Sequence, residues 1–265
     1  MSGVEFETGL PGERLAYFGD GSSGGPGACG FFWLGGFMSD MTGSKAVALS
    51  ELAHAKRRSC LRFDYSGHGR SGGAFTDGTI SKWLEQSTHM FLTHASGQRI
   101  VVGSSMGGWL ALLLARKLQR EDQTAFRRIA GLVLLAPAVD MTRALMWDQF
   151  TNLQQQELKK TGCIDIPSHY GNPYPVTAEL VTDGERHLLL DKSCAMPMPV
   201  RILQGNEDIE VPLSHAGKVL QMIEGDDVTM TIVKNGDHRL SKLPQLRLLQ
   251  DTVLRLAERA DRIDY

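Results

Sequence analysis

Short apolar runs alternate along this chain with stretches in which apolar residues recur at helical spacing. The runs, each closed by Gly, Pro, Ser or Asp, predict six β-strands, at residues 30–34, 60–65, 99–104, 132–136, 200–204 and 228–233. Strands that alternate with helices favour a mostly parallel, doubly wound sheet with helices on both faces. The predicted fold class is therefore α/β, built around one core.

The two ends of the chain extend this pattern. Residues 14–18 predict an antiparallel edge strand, and the glycine-rich residues 20–27 that follow predict a turn-rich loop. A terminal amphipathic helix is predicted behind Pro244, where apolar residues fall at helical spacing: Leu246, Leu249, Val253 and Leu256.

One stretch, residues 141–199, interrupts the alternation. It is about sixty residues long, whereas such connections usually have about 2–6. Met146, Phe150 and Leu153 lie at i, i+4 and i+7 and predict an amphipathic helix within it. We assign residues 141–199 to a helical cap or lid, and the remainder, residues 1–140 and 200–265, to the core domain. Ordinary surface elaboration is the alternative for the insertion.

A candidate nucleophile follows the third predicted strand. Apolar residues run into Gly103-Ser104-Ser105-Met106-Gly107, and a helix-forming stretch comes next. G-x-S-x-G between a strand and a helix is typical of a nucleophile elbow, in which glycines allow a tight turn that exposes the serine hydroxyl. Ser105 is the predicted nucleophile.

A serine nucleophile needs a histidine base, and His238 lies in a polar loop after the last predicted strand. His215 also falls late in the chain, but on a predicted helix, where a surface or packing role is expected. The other histidines precede the candidate acid and would break the chain order Ser, Asp, His. Two of them, His169 and His187, lie in the insertion, where contact with substrate is open.

The base needs a carboxylate to orient it, and Asp208 lies in a turn after the strand at 200–204. Glu207 and Glu210 in the same turn are close alternatives. Asp140, which follows the preceding strand, is a weaker candidate because its position favours a helix cap.

Acyl transfer also requires N–H donors for the developing oxyanion. The predicted donors are the backbone N–H of Met106 and that of Phe37, which follows Gly35-Gly36 after the first strand. A plain glycine turn is the alternative for the second of these positions.

Composition narrows the function further. A net charge of −2 without a basic patch argues against nucleic-acid binding, and no apolar run reaches the roughly 20 residues that span a bilayer. The first seven residues lack the basic and apolar regions of an export signal, which predicts a cytoplasmic protein. The four scattered cysteines predict free, mostly buried thiols rather than disulfides.

No cofactor or metal is expected. Residues 67–72 spell G-x-G-x-x-G after a strand, the pattern of a dinucleotide site. That fingerprint must open a helix, whereas residues 73–78 read as a loop, so the match is discounted.

Several segments together resemble the α/β-hydrolase superfamily, and within it the mitochondrial acyl-glucuronide esterases and palmitoyl-protein thioesterases. The segments are residues 36–46, 62–71, 102–110 and 237–239. The resemblance implies that Ser105, Asp208 and His238 form a catalytic triad. Two departures are a missing targeting presequence, which favours a bacterial-type cytoplasmic protein, and Gly35 in place of the usual Pro-Gly.

These observations predict a serine hydrolase that cleaves carboxylic esters or thioesters through an acyl-enzyme. The expected substrate is a small-molecule ester or thioester, or an acylated protein. Trp147, Phe150 and Tyr170 suggest an apolar acyl site, and a role as core residues is the equal alternative. A carbon–carbon bond hydrolase or peptidase on the same fold, and a non-catalytic ligand-binding protein, are the alternatives. The oligomeric state is left open.

Overall fold

A computed structural model describes residues 3–10, 12–19, 28–168 and 171–263. Its main sheet has eight strands: β1 Glu5–Glu7, β2 Leu15–Gly19, β3 Gly30–Leu34, β4 Cys60–Phe63, β5 Arg99–Ser104, β6 Ile129–Leu135, β10 Val200–Gly205 and β12 Val228–Val233. Their order across the sheet is β1-β2-β4-β3-β5-β6-β10-β12. The predicted loop at 20–27, His169 and Tyr170 lie outside the described residues.

The pairing confirms the predicted α/β class. Strands β4, β3, β5, β6, β10 and β12 are parallel, and β1 and β2 form an antiparallel edge against β4. All six predicted core strands are present. The second ends at Phe63, two residues before its predicted end, because a turn follows in which Gly67 adopts φ +74°.

Helices cover both faces of the sheet. They are α1 Ser44–Ala55, α2 Ile80–His94, α3 Met106–Glu121, α4 Gln123–Phe126, α5 Asn152–Thr161, α6 Ala178–Gly184, α7 Leu213–Met222 and α8 Leu243–Ile263. Helices α1 and α8 pack on one face, while α2 and α3 pack on the other. No helix within the described ranges is long and apolar enough to cross a membrane.

The helix predicted through Met146, Phe150 and Leu153 is wrong. A π-helical turn at Met141–Met146 and a 3₁₀ turn at Trp147–Gln149 precede an extended Phe150, and α5 begins only at Asn152. The break is explained by a capping box at Thr151, which starts a new helix there. Leu153 is consequently 77% exposed.

The rest of the insertion contains a two-stranded hairpin, β7 Cys163–Ser168 and β8 Gly171–Thr177, followed by α6 and the short strand β9 Cys194–Ala195. Strand β9 pairs with β11 Ile223–Glu224 of the core. The assignment of residues 141–199 as a cap remains a prediction.

The four cysteines form no disulfide in the described part of the chain. Cys29, Cys60 and Cys194 are buried and Cys163 is exposed, which agrees with the predicted thiols.

Candidate active site

Ser105 lies at the sharp turn between β5 and α3, with φ 54° and ψ −118°. A Cβ atom on Gly103 would come within 2.2 Å of the Gly107 carbonyl oxygen, and one on Gly107 within 2.1 Å of the Leu34 carbonyl oxygen. Only glycine fits at these two positions, so the motif permits the close approach of strand and helix that exposes the serine.

Three side chains that are distant in sequence meet at this turn. His238 Nε2 lies 3.0 Å from Ser105 Oγ, and His238 Nδ1 lies 2.9 Å from Asp208 Oδ2. An Nδ1–H that donates to the carboxylate leaves Nε2 as the acceptor for the serine hydroxyl. The geometry therefore suits proton transfer from serine to histidine.

The Asp208 carboxylate is fully buried at its side chain and firmly held. Its Oδ1 accepts the backbone N–H groups of Glu210 at 3.0 Å and Val211 at 2.8 Å, and Gln204 Nε2 donates to Oδ2 at 3.2 Å. These donors stabilise a negative charge that burial alone would oppose.

Close backbone packing brings the Asp208 turn against the His238 loop. A Cβ atom on Gly205 would come within 2.2 Å of the Gly236 carbonyl oxygen. The N–H of Glu207 donates to the same carbonyl at 2.9 Å. The acid and the base are thus joined by main-chain contacts as well as by their side chains.

Lys45 on α1 contacts the same loop. Its ammonium donates to the carbonyl oxygen of Arg239, next to His238. Burial lowers the pKa of Lys45 to about 8, although Asp237 and Asp208 oppose this shift. Nothing in the sequence pattern pointed to this contact, because α1 and the loop are almost 200 residues apart.

The alternative acids occupy other positions. The side chain of Glu207 is exposed, and that of Glu210 lies 3.8 Å from His238 Nε2 rather than from Nδ1. Asp140 does not cap a helix with its side chain, which corrects the expectation from its position. Its carboxylate instead accepts the N–H groups of Leu189 and Leu190 at 2.8 and 2.9 Å, and so ties the insertion to the core.

The alternative histidines also lie elsewhere. His215 is buried on α7, and its burial lowers the pKa to about 4. Ser81 Oγ donates to Asp183 Oδ1 at 2.6 Å and lies 2.7 Å from His187 Nε2. At Ser105 the histidine lies between the serine and the acid, whereas Asp183 bonds the serine and not His187 Nδ1. The second Ser, His and Asp group therefore lacks the arrangement of a catalytic triad.

The predicted oxyanion loop lies directly against the nucleophile. A Cβ atom on Gly36 would be 3.3 Å from Ser105 Cβ, and Met106 is the buried first residue of α3. The Phe37 ring packs edge-to-face on Phe75 and Tyr174, with centroids 4.8 and 5.6 Å away. The N–H groups of Phe37 and Met106 as oxyanion donors remain a prediction.

Asp64 holds this loop, although neither spacing nor chain order singled it out. Its Oδ1 accepts the Met41 N–H at 2.6 Å, and its Oδ2 accepts the Arg70 N–H at 2.8 Å. Burial raises the pKa of this carboxyl group, while the two N–H donors oppose that effect. The sequence feature that could have identified Asp64 is an acidic residue directly after a strand and before a glycine-rich turn.

A cavity of about 250 Å³ borders the loop. Its lining residues come from the oxyanion loop, the turn after β4 and the hairpin: Met38, Ser39, Asp40, Gly67, His68, Gly69, Phe75 and Pro175. Trp147 and Phe150 do not line it. Their predicted role at an acyl site stays untested, and Tyr170 lies outside the described residues.

The G-x-G-x-x-G stretch is part of the turn that lines this cavity. The turn leads into a 3₁₀ segment at Phe75–Asp77, and α2 begins only at Ile80. Within the described ranges, no three His, Cys, Asp or Glu side chains are grouped to bind a metal ion.

Sheet order, elbow and site geometry define an α/β-hydrolase. The chain belongs to the alpha/beta hydrolase family, whose model matches residues 25–247. Human palmitoyl-protein thioesterase ABHD10, mitochondrial, is 31% identical over 226 residues, which cover 84% of this chain and 71% of the human protein.

Two solved structures support the same family. A hydrolase from Agrobacterium vitis S4 superposes with a TM-score of 0.91 at 35% identity, covering 97% of this chain and 100% of its own. Mouse alpha/beta hydrolase domain-containing protein 10 superposes with a TM-score of 0.86 at 29% identity, covering 97% and 99%.

The predicted cytoplasmic location is wrong by this comparison. The human, bovine and mouse relatives are all named as mitochondrial proteins. The prediction used the lack of an export signal and of a targeting presequence, and neither lack specifies a compartment.

Proposed function

We propose that this protein is a serine hydrolase that cleaves carboxylic esters or thioesters through an acyl-enzyme. The observation that carries the proposal is the hydrogen-bond chain from Ser105 Oγ to His238 Nε2 at 3.0 Å and from His238 Nδ1 to Asp208 Oδ2 at 2.9 Å. This arrangement has the residue types, order and contacts of a catalytic triad.

The first half of the reaction forms the acyl-enzyme. His238 Nε2 takes the proton of Ser105 as Oγ attacks the acyl carbon, and Asp208 stabilises the imidazolium that results. The N–H groups of Phe37 and Met106 receive the oxyanion. His238 then protonates the departing alcohol or thiol, and the bond from the acyl carbon to that group breaks.

Water completes the second half. It enters where the leaving group stood, His238 takes one of its protons, and the oxygen attacks the acyl carbon on Ser105. The carboxylic acid leaves as the proton returns to Ser105. No cofactor is required by this sequence of steps.

The thioesterase named among the relatives supports thioesters, including acylated proteins, as one substrate class. The cavity beside Met38 and Pro175 borders the oxyanion loop and has room for a modest group. This cavity could hold either the acyl chain or the leaving group of the substrate. The test therefore varies the acyl chain in both an ester series and a thioester series.

The test is hydrolysis of p-nitrophenyl esters and acyl thioesters of increasing chain length. Ser105→Ala and Asp208→Asn should each lower kcat by about 10³-fold or more, because the triad acts as one unit. Glu207→Gln is the matched control, since its side chain is exposed on the same turn as Asp208. Equal turnover by wild type and Ser105→Ala would contradict the proposal.

A further inference from the structure

Glu210 places a second carboxylate on the substrate side of the histidine. Its Oε2 lies 3.8 Å from His238 Nε2, the same nitrogen that faces Ser105 Oγ at 3.0 Å. Asp208 already occupies the opposite nitrogen, Nδ1. Glu210 therefore borders the space in which a leaving group must lie to receive its proton from Nε2.

The backbone of Glu210 is fixed while its side chain stays accessible. Its N–H donates to Asp208 Oδ1 at 3.0 Å, so the residue is anchored in the turn that holds the acid. The side chain is 33% exposed. In the part of the chain that the structure describes, no lysine or arginine forms an ion pair with this carboxylate, and its nearest basic side chain is His238.

An aromatic ring packs against the oxyanion loop of the same site. Tyr174 on β8 is half-buried and packs edge-to-face on Phe37, with ring centroids 5.6 Å apart. Burial raises the pKa of Tyr174, and the negative charge of Glu210 acts in the same direction. A carboxylate attracts an alkylammonium group by its charge, and an aromatic ring within about 6 Å of such a cation adds to the attraction.

We propose that Glu210 is a specificity-determining residue that favours esters and thioesters with an ammonium group in the leaving portion and disfavours anionic ones. The inference rests on the proposed function, because it places the leaving group at His238 Nε2. A cation there gains the attraction of Glu210, whereas a carboxylate or phosphate on the substrate is repelled by it.

The test compares two thioesters of equal shape, butyrylthiocholine and S-(3,3-dimethylbutyl) thiobutyrate, which differ in one quaternary nitrogen and its charge. Wild type should prefer the cationic substrate in kcat/KM, and Glu210→Gln should lower that preference about 5-fold, a modest effect because the side chain is partly exposed. The preference should also shrink in 1 M salt, which screens partly exposed charges.

Glu207→Gln is the matched control, because it removes the same charge from an exposed side chain in the same turn. It should keep the wild-type preference. An unchanged preference in Glu210→Gln, with both thioesters hydrolysed, would overturn the role of Glu210 and leave the proposed function standing.

Failure of wild type to hydrolyse either thioester would instead count against the proposed function. Calorimetric titration with choline and with 3,3-dimethylbutanol then tests Glu210 without turnover. Tighter binding of choline that is lost in Glu210→Gln supports the proposal, and equal binding of the two alcohols overturns it.

Discussion

Ser105 holds a backbone conformation that side chains rarely adopt, with φ 54°. Such a residue costs about 1–3 kcal/mol and persists only where its surroundings impose it. Here the imposed contacts are visible: the Ser105 N–H donates to the Leu135 carbonyl at 2.8 Å, and the Ser105 carbonyl accepts from Gly108 and Ala138. These contacts hold the strained backbone in place and so keep the Ser105 hydroxyl within hydrogen-bond distance of His238.

At the same scale, Asp64 should matter for both folding and activity. Asp64→Ala removes the acceptors of the Met41 and Arg70 N–H groups and should lower the free energy of unfolding by about 2–4 kcal/mol. Because the loop before Met41 carries Phe37, kcat should also fall. Urea unfolding and ester hydrolysis measure the two effects.

Asp40→Ala provides the control for Asp64, since Asp40 is exposed on the same loop and bonds only locally, to Thr42. It should cost about 1 kcal/mol or less. Equal losses of unfolding free energy in Asp64→Ala and Asp40→Ala would show that Asp64 does not hold the loop.

Among the elements, two carboxylates attach the C-terminal part of the insertion to the core. Asp140, just before the insertion, accepts N–H groups at residues 189 and 190. On α6, Asp183 accepts the backbone N–H of Ser81 at 2.7 Å in the first turn of α2. A carboxylate at this helix end satisfies an unpaired donor and interacts well with the helix dipole.

This attachment predicts a local effect. Asp183→Ala should speed amide hydrogen exchange about 10-fold or more in α6 and the first turn of α2, while β5 stays protected. Glu179→Ala, at an exposed position on the same helix, should leave exchange unchanged. Uniformly faster exchange across the sheet would contradict a local role for Asp183.

The elements also show what the sequence could and could not predict. The core strands were predictable because each is a short apolar run bounded by turn residues, and the elbow because its glycines are sterically required. The insertion was not predictable in the same way. Met146, Phe150 and Leu153 have helical spacing, but the capping box at Thr151 starts a new helix between Phe150 and Leu153. Lys45 and Glu210 could not be placed either, since their contacts depend on tertiary structure.

For the molecule as a whole, buried histidines link stability to pH. Burial lowers the pKa of both His68 and His215 to about 4, from an ordinary value of 6.5. The unfolded chain therefore binds protons below about pH 6.5 that the folded protein does not. Each of these histidines lowers stability as the pH falls from 6.5 towards 4.

The effect of one histidine can be isolated by substitution. Wild type should lose about 1 kcal/mol more than His215→Phe in free energy of unfolding between pH 7.5 and pH 5.5. Urea unfolding at both pH values measures this difference. His54→Phe, at an exposed position on α1, is the control and should follow wild type. Equal losses in wild type and His215→Phe would contradict the buried, neutral state of this ring.

Labelling with a fluorophosphonate, followed by intact mass and peptide mapping, tests the catalytic role of Ser105 without a substrate. We expect one adduct per chain, on Ser105, that is absent in Ser105→Ala and forms more slowly in Asp208→Asn. Folded wild-type protein that remains unlabelled, or that carries its label on another residue, would contradict this role.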